Sequence, residues 1–504
     1  MGLALFCAST YIPYPIYPRI EETPLEQKLI APIAPNVAPT IDAPDSSVAR
    51  SLMMARHVIS PVFSRPADRL RQIRIWQRSW LTRPLAWLSI FGPGLIAANA
   101  GNDAGGIATY ASVGAQYGYG LLWMLVIITV SMGVVQEMCA RMGAAAGKGL
   151  SDLIREHFGV RGAAFAMLTL LIANSLITIS EFAGIAAASE LFGISKYLTV
   201  PIAAVCVWLL VTKGSYQRVE KVFLAMTFAF FAYPIAAILA KPDWGMVVRQ
   251  TIIPTIPQNH ISTYLLLFVG TVGTTITPYM QLYIQSAVAE KGIDMAHYHR
   301  ERADAYFGAL FGDLISAFII IATGATVFIA SRGAGVTISD ASQAAKALVP
   351  FLGKYAEIIF AIGLLGASLL AAAVLPLTTS YNICESFGFE RGVSHSFKEA
   401  PIFHGIFTSM LAFGALVALI PNLPLIQLMV IVQVINGILL PIILVFILRL
   451  VNNPDIMGKY VNRPIENVVA WGTTILLTAL SAVLILTTVL GIFGVSSLFG
   501  IPLS

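Results

Sequence analysis

The sequence predicts an all-α polytopic membrane protein, and three observations lead to that fold class. Of the 504 residues, 57% are apolar and only 11% are charged, whereas soluble proteins carry about 25% charged residues. Apolar runs of about 20 residues, each long enough to cross a bilayer, recur from Leu85 almost to the C-terminus. Two of these runs are interrupted by glycine or proline at matching places, a pattern typical of membrane proteins with two inverted repeats.

Residues 1–84 are predicted to form a disordered, basic tail. The first 63 residues are rich in Pro, Ala and Ser, a composition that buries too little apolar surface to fold. The stretch SRPADRLRQIRIWQRSWLTRP then has six arginines and one aspartate. Such an excess of positive charge before a first span predicts a cytoplasmic N-terminus. No nucleic-acid partner is expected, because these basic residues lie beside a membrane span and the bilayer is the partner at hand.

About eleven spans are predicted between residues 85 and 498. Positive residues are more frequent in alternate loops, for example Lys148, Arg155 and Arg161 in one of them, and this bias predicts a C-terminus on the outside. An N-terminus with no signal-peptide pattern favours a bacterial-type plasma (inner) membrane. Repeat one is expected at about 86–240, repeat two at about 262–450 and an extra helix at about 466–495. The predicted spans are about 86–116, 119–143, 160–187, 197–213, 217–240, 262–289, 305–331, 355–386, 403–420, 424–450 and 466–495.

Two spans are predicted to be broken helices. The first contains GNDAGG (101–106), and the sixth contains VGTVGTTITPYMQLY (269–283), in which Gly270 and Gly273 precede Pro278. Bare backbone is tolerated at membrane depth only where protein or a water-filled cavity satisfies it. Unwinding would therefore expose carbonyl oxygens and helix ends at a binding site near the midplane. The alternative is that the glycines merely allow helices to pack closely.

Three polar side chains inside apolar spans are candidates for that site. Asp103 lies within the first break, and a carboxylate at membrane depth is a functional-site hypothesis by default; the alternative is that it caps the second half-helix. Gln433, in the tenth span, is a neutral oxygen donor or an interhelical hydrogen-bonding residue. Glu181, in the third span, is a proton relay or a carboxylate packed against a polar group. Three further carboxylates, Glu137, Asp313 and Glu385, lie nearer predicted helix ends and are expected at the interface or at gates.

The sequence does not indicate an enzyme. It contains no pairing of nucleophile and base, no HExxH motif, and no phosphate-binding glycine loop, since GNDAGG lacks the lysine of such a loop. The four cysteines are scattered without the spacing of a zinc site or a disulfide framework. No resident cofactor is therefore expected.

One long stretch, GPGLIAANAGNDAGGIATYASVGAQYGYGLLW, resembles the first span of the Nramp (natural resistance-associated macrophage protein) divalent-metal transporters. The similarity continues through VVQEMCARMGAAAGKGLSDLIREHFG, ISEFAGIAAASELFG, AIGLLGASLLAAAV and VQVINGILLPIILVFILRLVNNPDIMGKYVN, and it covers roughly residues 86 to 490. The resemblance implies an eleven-span, LeuT-like fold with a 5+5 inverted repeat and broken helices 1 and 6. It also implies that a divalent metal ion, with H⁺ as a coupled ion in the family, is the transported substrate.

The resemblance also implies a metal site. The family's Asp-Pro-Gly-Asn motif falls on residues 103–106, where Asp103 is kept but the Pro and the metal-binding Asn are absent. The family's metal-binding Met falls on Thr277, and the residue that offers a backbone carbonyl falls on Thr274. The metal-binding Gln of the tenth span matches Gln433.

Proton handling is implied less completely. The family's proton-transfer Glu matches Glu181. Of its two span-six histidines, the first falls on Tyr279 and the second on Ile284, or on Gln285 if one residue is inserted. Neither histidine is kept, so Glu181 and Gln285 remain as candidates for proton transfer or gating.

The departures from the family pattern bear on the choice of metal. A thioether is a soft ligand that favours transition metals, and Thr277 replaces it with an oxygen donor. Gly106 removes a side-chain ligand and makes room for an ion that keeps some water, as Mg²⁺ does. In these respects the sequence resembles the Nramp-related magnesium transporters.

Three hypotheses follow from the sequence. The first is a secondary-active transporter that takes up Mg²⁺ or Mn²⁺ by alternating access around Asp103. The second keeps the fold but has an organic solute, such as an amino acid, as substrate together with a monovalent cation. The third is a membrane sensor or interaction protein without transport.

Overall fold

The computed structural model describes residues 102–212, 231–256, 261–393 and 395–492, together with two short strands near the C-terminus. The predicted tail at 1–84, the start of the first predicted span and most of the fifth lie outside the described residues. The repeat boundaries therefore stay predictions.

The helices of the N-terminal half are α1 (Ala104–Tyr117), α2 (Leu122–Ala146), α3 (Leu150–Leu191), α4 (Lys196–Thr212), α5 (Ala232–Leu239) and α6 (Trp244–Ile252). The C-terminal half contains α7 (Ile261–Thr275), α8 (Pro278–Glu290), α9 (Tyr298–Thr323), α10 (Ala341–Ala345), α11 (Val349–Leu352), α12 (Ala356–Phe387), α13 (Pro401–Ala418), α14 (Leu425–Val451), α15 (Pro454–Met457) and α16 (Pro464–Ile492). A π-helical turn, Gly324–Phe328, extends α9, and 3₁₀ turns occupy Lys346–Leu348, Gly353–Tyr355 and Gly458–Tyr460. Strands β1 (Ser497–Leu498) and β2 (Ile501–Pro502) pair antiparallel.

Eight of the described helical segments are long and apolar enough to cross a membrane, and α4 is a shorter apolar helix. The prediction of an all-helical polytopic membrane protein is therefore confirmed. The third span differs from its prediction, because α3 begins at Leu150 and continues through a kink at Gly159, whose φ of 70° only glycine adopts readily.

Burial separates the helices that form the centre from those that face lipid. Every residue from Asn102 to Ala115 is buried, and so is every residue from Pro278 to Val288. By contrast, α16 exposes Ile465 at 78% and Val468 at 73%, because apolar side chains at the rim of a membrane protein face lipid tails. The two broken spans thus lie in the interior, where irregular backbone is tolerated.

Glycines bring α7 and α14 into contact. A Cβ at Gly273 would lie 2.1 Å from the carbonyl oxygen of Gln433 and 2.4 Å from the backbone nitrogen of Gly437. Gly270 and Gly273 both lie inside α7, and the sixth span is interrupted after them, at Ile276 and Thr277. Gly273 therefore serves close helix packing, the alternative considered for the glycines. The interruption of the sixth span comes instead from Pro278, which has no backbone N–H to continue the helix.

We expect Gly273→Ala to destabilise the protein by about 1–3 kcal/mol, because the added methyl group would push two backbones apart. The measurement is the midpoint of thermal unfolding in detergent. Gly405→Ala is the matched control, since a Cβ at Gly405 in α13 would meet nothing within 4 Å. An equal fall in both variants would contradict the role given to Gly273.

A buried charged cluster joins α2 to the segment before α16. The guanidinium of Arg141 lies 3.2 Å from the Glu137 carboxylate and 3.0 Å from that of Glu466, and it donates to Asn462 Oδ1 at 2.6 Å. The Tyr298 hydroxyl, at the start of α9, donates to Glu137. Glu137 is therefore a member of this buried cluster, and its role at the interface or at a gate stays a prediction.

Candidate metal site

Asp103 is the last residue before α1 and lies at the first interruption. Its backbone is extended, with φ −69° and ψ −179°, and its Oδ1 accepts a hydrogen bond of 2.7 Å from the Gly106 N–H. This is an N-cap, for which Asp is among the preferred residues. The capping alternative for Asp103 is therefore correct as far as Oδ1 is concerned. It leaves the second carboxylate oxygen, Oδ2, which is buried and has no hydrogen-bond partner.

Thr277 occupies the second interruption. It is extended, with φ −73° and ψ 142°, and precedes Pro278 at the first position of α8, where the fixed φ of proline suits a helix start. Its side chain does not cap α8, and its Oγ1 is buried without a hydrogen-bond partner. Thr274 is fully buried in the last turn of α7, to which Pro278 supplies no backbone N–H.

Gln433 reaches the first interruption from α14. Its Nε2 lies 3.3 Å from Asp103 Oδ1 and donates to it, and a Cβ at Gly105 would lie only 2.1 Å from the same nitrogen. Glycine at position 105 is thus required for this approach. Because the amide nitrogen faces the capping oxygen, Gln433 Oε1 is left buried and without a partner.

Glu181 approaches the same place from α3. Its Oε2 accepts from the Ala104 N–H at 3.4 Å, it is fully buried, and its Oε1 has no partner. Tyr279, at the start of α8, interacts electrostatically with both Asp103 and Glu181. The beginnings of α1 and α8 and the C-terminal part of α3 therefore meet around these two carboxylates.

Gln285 is not brought to this place. It lies two turns after Thr277 along α8, where its Nε2 donates to the Lys148 carbonyl oxygen at 3.1 Å. It joins α8 to the turn between α2 and α3. A small cavity lies at the same end of α8, lined in part by Ser286, Glu290 and Glu385. Glu385, predicted at a gate, pairs there with Arg391 at 3.0 Å.

Sequence reasoning missed three polar residues around the site. Asn436 donates to the Gly273 carbonyl oxygen at 2.7 Å and lies on the same face of α14 as Gln433, three residues away. That spacing was the available signal. The hydroxyls of Ser180 and Ser368 are buried without partners, against Gly105 and Gly184 respectively, and no local sequence signal marks them among the other small residues of α3 and α12.

The side chains at the two interruptions present oxygen atoms to the protein interior. Asp103, Thr277 and Gln433 each have an oxygen without a hydrogen-bond partner, and a buried polar atom in that condition is unfavourable by about 1–3 kcal/mol. A hard cation satisfies such oxygens directly, because Mg²⁺ and similar ions prefer carboxylate, carbonyl and hydroxyl ligands. Of the predicted ligands, the structure thus brings Asp103 and Gln433 into direct contact and places Thr274 and Thr277 at the second interruption.

Comparisons with known proteins agree with this architecture. The family model described as Natural resistance-associated macrophage protein-like (Nramp) matches residues 94–487. The divalent metal cation transporter MntH of Klebsiella pneumoniae (strain 342) is 26% identical over 412 residues, which cover 80% of this chain and 95% of that protein. MntH of Erwinia tasmaniensis is 28% identical over 312 residues, covering 60% of this chain and 74% of its own.

Solved structures show the same fold. The crystal structure of a mutant of the Eremococcus coleocola manganese transporter superposes with a TM-score of 0.64 at 20% identity, covering 82% of this chain and 90% of that one. The structure of the same transporter with an aromatic bis-isothiourea compound matches with a TM-score of 0.64 at 22% identity. The family model spans far more than half of the 504 residues. The chain therefore belongs to the Nramp family.

Proposed function

We propose that this protein moves a divalent metal cation across a membrane by alternating access around Asp103. One observation carries the proposal: a buried oxygen of the Asp103 carboxylate has no hydrogen-bond partner, and Gln433, which contacts the same carboxylate through Nε2, also has an unpartnered oxygen, Oε1. A cation is the ligand that such a pair of oxygens accepts. The names of the relatives, divalent metal cation transporters, give independent support, and they place this chain among transporters and not enzymes.

An organic solute is disfavoured as substrate. An amino-acid carboxylate would enter a site that already holds the carboxylates of Asp103 and Glu181, and like charges in a low-dielectric interior repel strongly. The positively charged side chains that bind anions are absent from the hydrogen bonds and ion pairs described around Asp103.

We further propose that the metal is a hard ion, Mg²⁺ or Mn²⁺. The four residues Asp103, Thr274, Thr277 and Gln433 offer carboxylate, hydroxyl, carbonyl and amide oxygen. Gly106 brings no side-chain ligand to the first turn of α1, where its N–H is held by the cap. Oxygen ligands and room for retained water suit Mg²⁺, and Mn²⁺ accepts the same ligands.

The direct test is uptake of Mg²⁺, Mn²⁺ and Ca²⁺ into proteoliposomes that contain the purified protein, with metal-sensitive dyes inside. We expect uptake of Mg²⁺ or Mn²⁺ to saturate and to be inhibited by the other. Liposomes without protein give the background rate. Uptake at background for all three ions would overturn the proposal.

Thr277→Met is expected to shift the preference toward softer metals. The thioether adds a soft ligand to an all-oxygen set, and we expect the ratio of Cd²⁺ to Mg²⁺ uptake to rise by about tenfold, the equivalent of one good ligand contact. Thr277→Val, similar in shape but without a donor atom, is the matched control and should lower uptake of both ions. A constant Cd²⁺:Mg²⁺ ratio in the Met variant would show that Thr277 is not a ligand.

We propose that Glu181 contributes to any proton movement, although its surroundings offer no obvious onward path. One and two turns before it on α3 lie Thr178 and Asn174, and Asn174 donates to Thr379 Oγ1 at 2.7 Å. None of these three residues titrates in the physiological range. A pH-sensitive dye inside the same proteoliposomes decides the matter: acidification in step with metal uptake would demonstrate coupling, and constant internal pH would show transport without protons.

The orientation is also a proposal. The loop charges support an N-terminus in the cytoplasm and a C-terminus outside, in a bacterial-type plasma membrane. Labelling of single cysteines tests it, one introduced at Lys148, just after α2, and one at Gln116, near the end of α1 and before α2. A membrane-impermeant reagent applied to whole cells should label only the second position.

A further inference from the structure

A second buried carboxylate belongs to α9, the helix that Asn102 contacts at the first interruption. Asp313 was expected near a helix end, but it lies in the middle of α9 and is only 5% exposed. None of the ion pairs among the described residues includes it, and its Oδ2 is buried without a hydrogen-bond partner. An unpaired buried carboxylate at membrane depth is strongly unfavourable unless it acquires a proton or a cation.

Hydroxyl groups lie around the Asp313 carboxylate. The hydroxyl of Thr129 in α2 is a hydrogen-bonding neighbour of the carboxylate, and it shares its single proton with the Leu125 carbonyl oxygen, which lies 2.7 Å away. Tyr110 of α1 interacts electrostatically with Asp313. Its hydroxyl is 2.9 Å from Thr275 Oγ1, which gives its own proton to a carbonyl of α7. Tyr110 is therefore the donor in that pair and presents lone pairs toward Asp313.

Ser316 extends the same pattern. It lies one turn after Asp313 on α9 and is 1% exposed. Its proton is directed at Asn102 Oδ1, at 3.1 Å, or at the Gly312 carbonyl oxygen, at 3.2 Å. Neither alternative supplies a proton to the carboxylate. Oxygen atoms from α1, α2 and α9 thus lie near Asp313, and its Oδ2 remains without a hydrogen-bond partner.

We propose that Asp313 binds a monovalent metal cation such as Na⁺, together with the oxygens of Thr129, Tyr110 and Ser316. The charge decides between ion classes, since one carboxylate among neutral oxygens is neutralised by a single positive charge, whereas a divalent ion would leave an uncompensated charge in the bilayer interior. Hydroxyl and carboxylate oxygens are the ligands that hard cations prefer.

Asn102 connects this cation site to the proposed metal site. Its Nδ2 donates to the Gly312 carbonyl oxygen at 3.3 Å, and its Oδ1 accepts from Ser316. Asn102 directly precedes Asp103 in the non-helical segment. A cation that orders the surroundings of Asp313 therefore also orders the backbone that presents Asp103, and Na⁺ is expected to raise the affinity for the transported metal. This coupling rests on the proposed metal transport, whereas cation binding itself does not.

Binding is tested first without transport. The purified full-length protein in detergent is heated in NaCl or in choline chloride of equal ionic strength. We expect saturating NaCl to raise the Tm by about 5 °C, because a ligand that binds only the folded state stabilises it. Asp313→Asn should remove the rise. Glu357→Gln, which removes an exposed carboxylate from the first turn of α12, is the matched control and should keep it.

A milder variant guards against misfolding of Asp313→Asn. Thr129→Val keeps the charge and removes one ligand oxygen, and it should raise the NaCl concentration for half of the Tm rise by about tenfold, the equivalent of one ligand contact. No effect of NaCl on the wild-type Tm would overturn the proposal. A Tm rise on acidification in choline chloride that Asp313→Asn removes, with none from NaCl, would assign a proton to Asp313 and would equally overturn it.

Transport is tested second. Mn²⁺ uptake into proteoliposomes at subsaturating Mn²⁺ should be about fivefold faster with Na⁺ than with choline in the wild type, a coupling of ordinary size, and equal in the two salts for Asp313→Asn. If Na⁺ stabilises the protein through Asp313 but no metal is taken up, the metal-transport proposal fails while the cation site stands. If metal uptake is robust and Na⁺ affects neither uptake nor Tm, the cation site fails alone.

Discussion

Asp103→Asn is expected to reduce metal uptake at least about 100-fold while the protein still folds. Asparagine is as good an N-cap as aspartate, so the hydrogen bond from the Gly106 N–H can persist. The variant loses the negative charge of the buried carboxylate that Gln433 contacts. A doubly charged ion in a low-dielectric site depends on that charge more than on any neutral ligand.

The measurement is initial Mg²⁺ and Mn²⁺ uptake, with the Tm in detergent as the check on folding. Asp243→Asn is a matched control, because Asp243 caps α6 through the Met246 N–H at 3.1 Å and is exposed. It should leave uptake unchanged. Asp103→Ala should lose uptake and additionally about 1 kcal/mol of helix stability from the missing cap. Wild-type uptake by Asp103→Asn would reduce Asp103 to a capping residue.

Arg141→Met is expected to destabilise the folded protein by about 3–5 kcal/mol, because it leaves the buried Glu137 and the partly buried Glu466 without their shared positive charge. Arg141 also donates to the carbonyl oxygens of Tyr460 and Val461, at 3.2 and 3.3 Å. Removal of one side chain therefore loosens the whole connection between α2 and α16.

Lys148→Met is the matched control for charge removal. Lys148 pairs with Glu156 at 2.7 Å, but both side chains are about half exposed, at 48% and 54%, and such surface pairs contribute about 0–1 kcal/mol. The two variants are compared by thermal unfolding in detergent. A small loss for Arg141→Met, within the range of the Lys148 variant, would show that water or a rearranged partner compensates the buried carboxylates.

Local sequence features predicted the interruptions, because their causes are local. Pro278 has no N–H for the preceding helical turn wherever it occurs, and Asp103 two residues before Gly105 and three before Gly106 is a cap sequence in any context. The glycines of α7 were less predictable. Gly273 looked like a part of the break, but its effect depends on Gly437 of α14, which meets it only in the folded protein.

The polar residues likewise divide into those whose place the sequence predicted and those whose place depends on the folded protein. The sequence placed Gln433 and Glu181 at the site through the family resemblance, and both lie beside the start of α1. It misplaced Asp313, because the predicted span began at residue 305 whereas α9 begins at Tyr298. That shift moves Asp313 from near a helix end to the helix middle. Gln285 was a candidate by alignment alone, and its hydrogen bond to Lys148 places it elsewhere.

The sequence by itself determined that this chain crosses a membrane many times, that its sixth span is interrupted before Pro278, and that Asp103 is a candidate site residue. Hydropathy, proline and helix capping act over a few neighbouring residues, so the sequence alone reveals them. Only the tertiary structure decided which oxygens meet. Gln433 lies 330 positions from Asp103 along the chain and reaches it because Gly105, Gly273 and Gly437 let backbones approach. That approach depends on shape complementarity between distant helices, which no local pattern records.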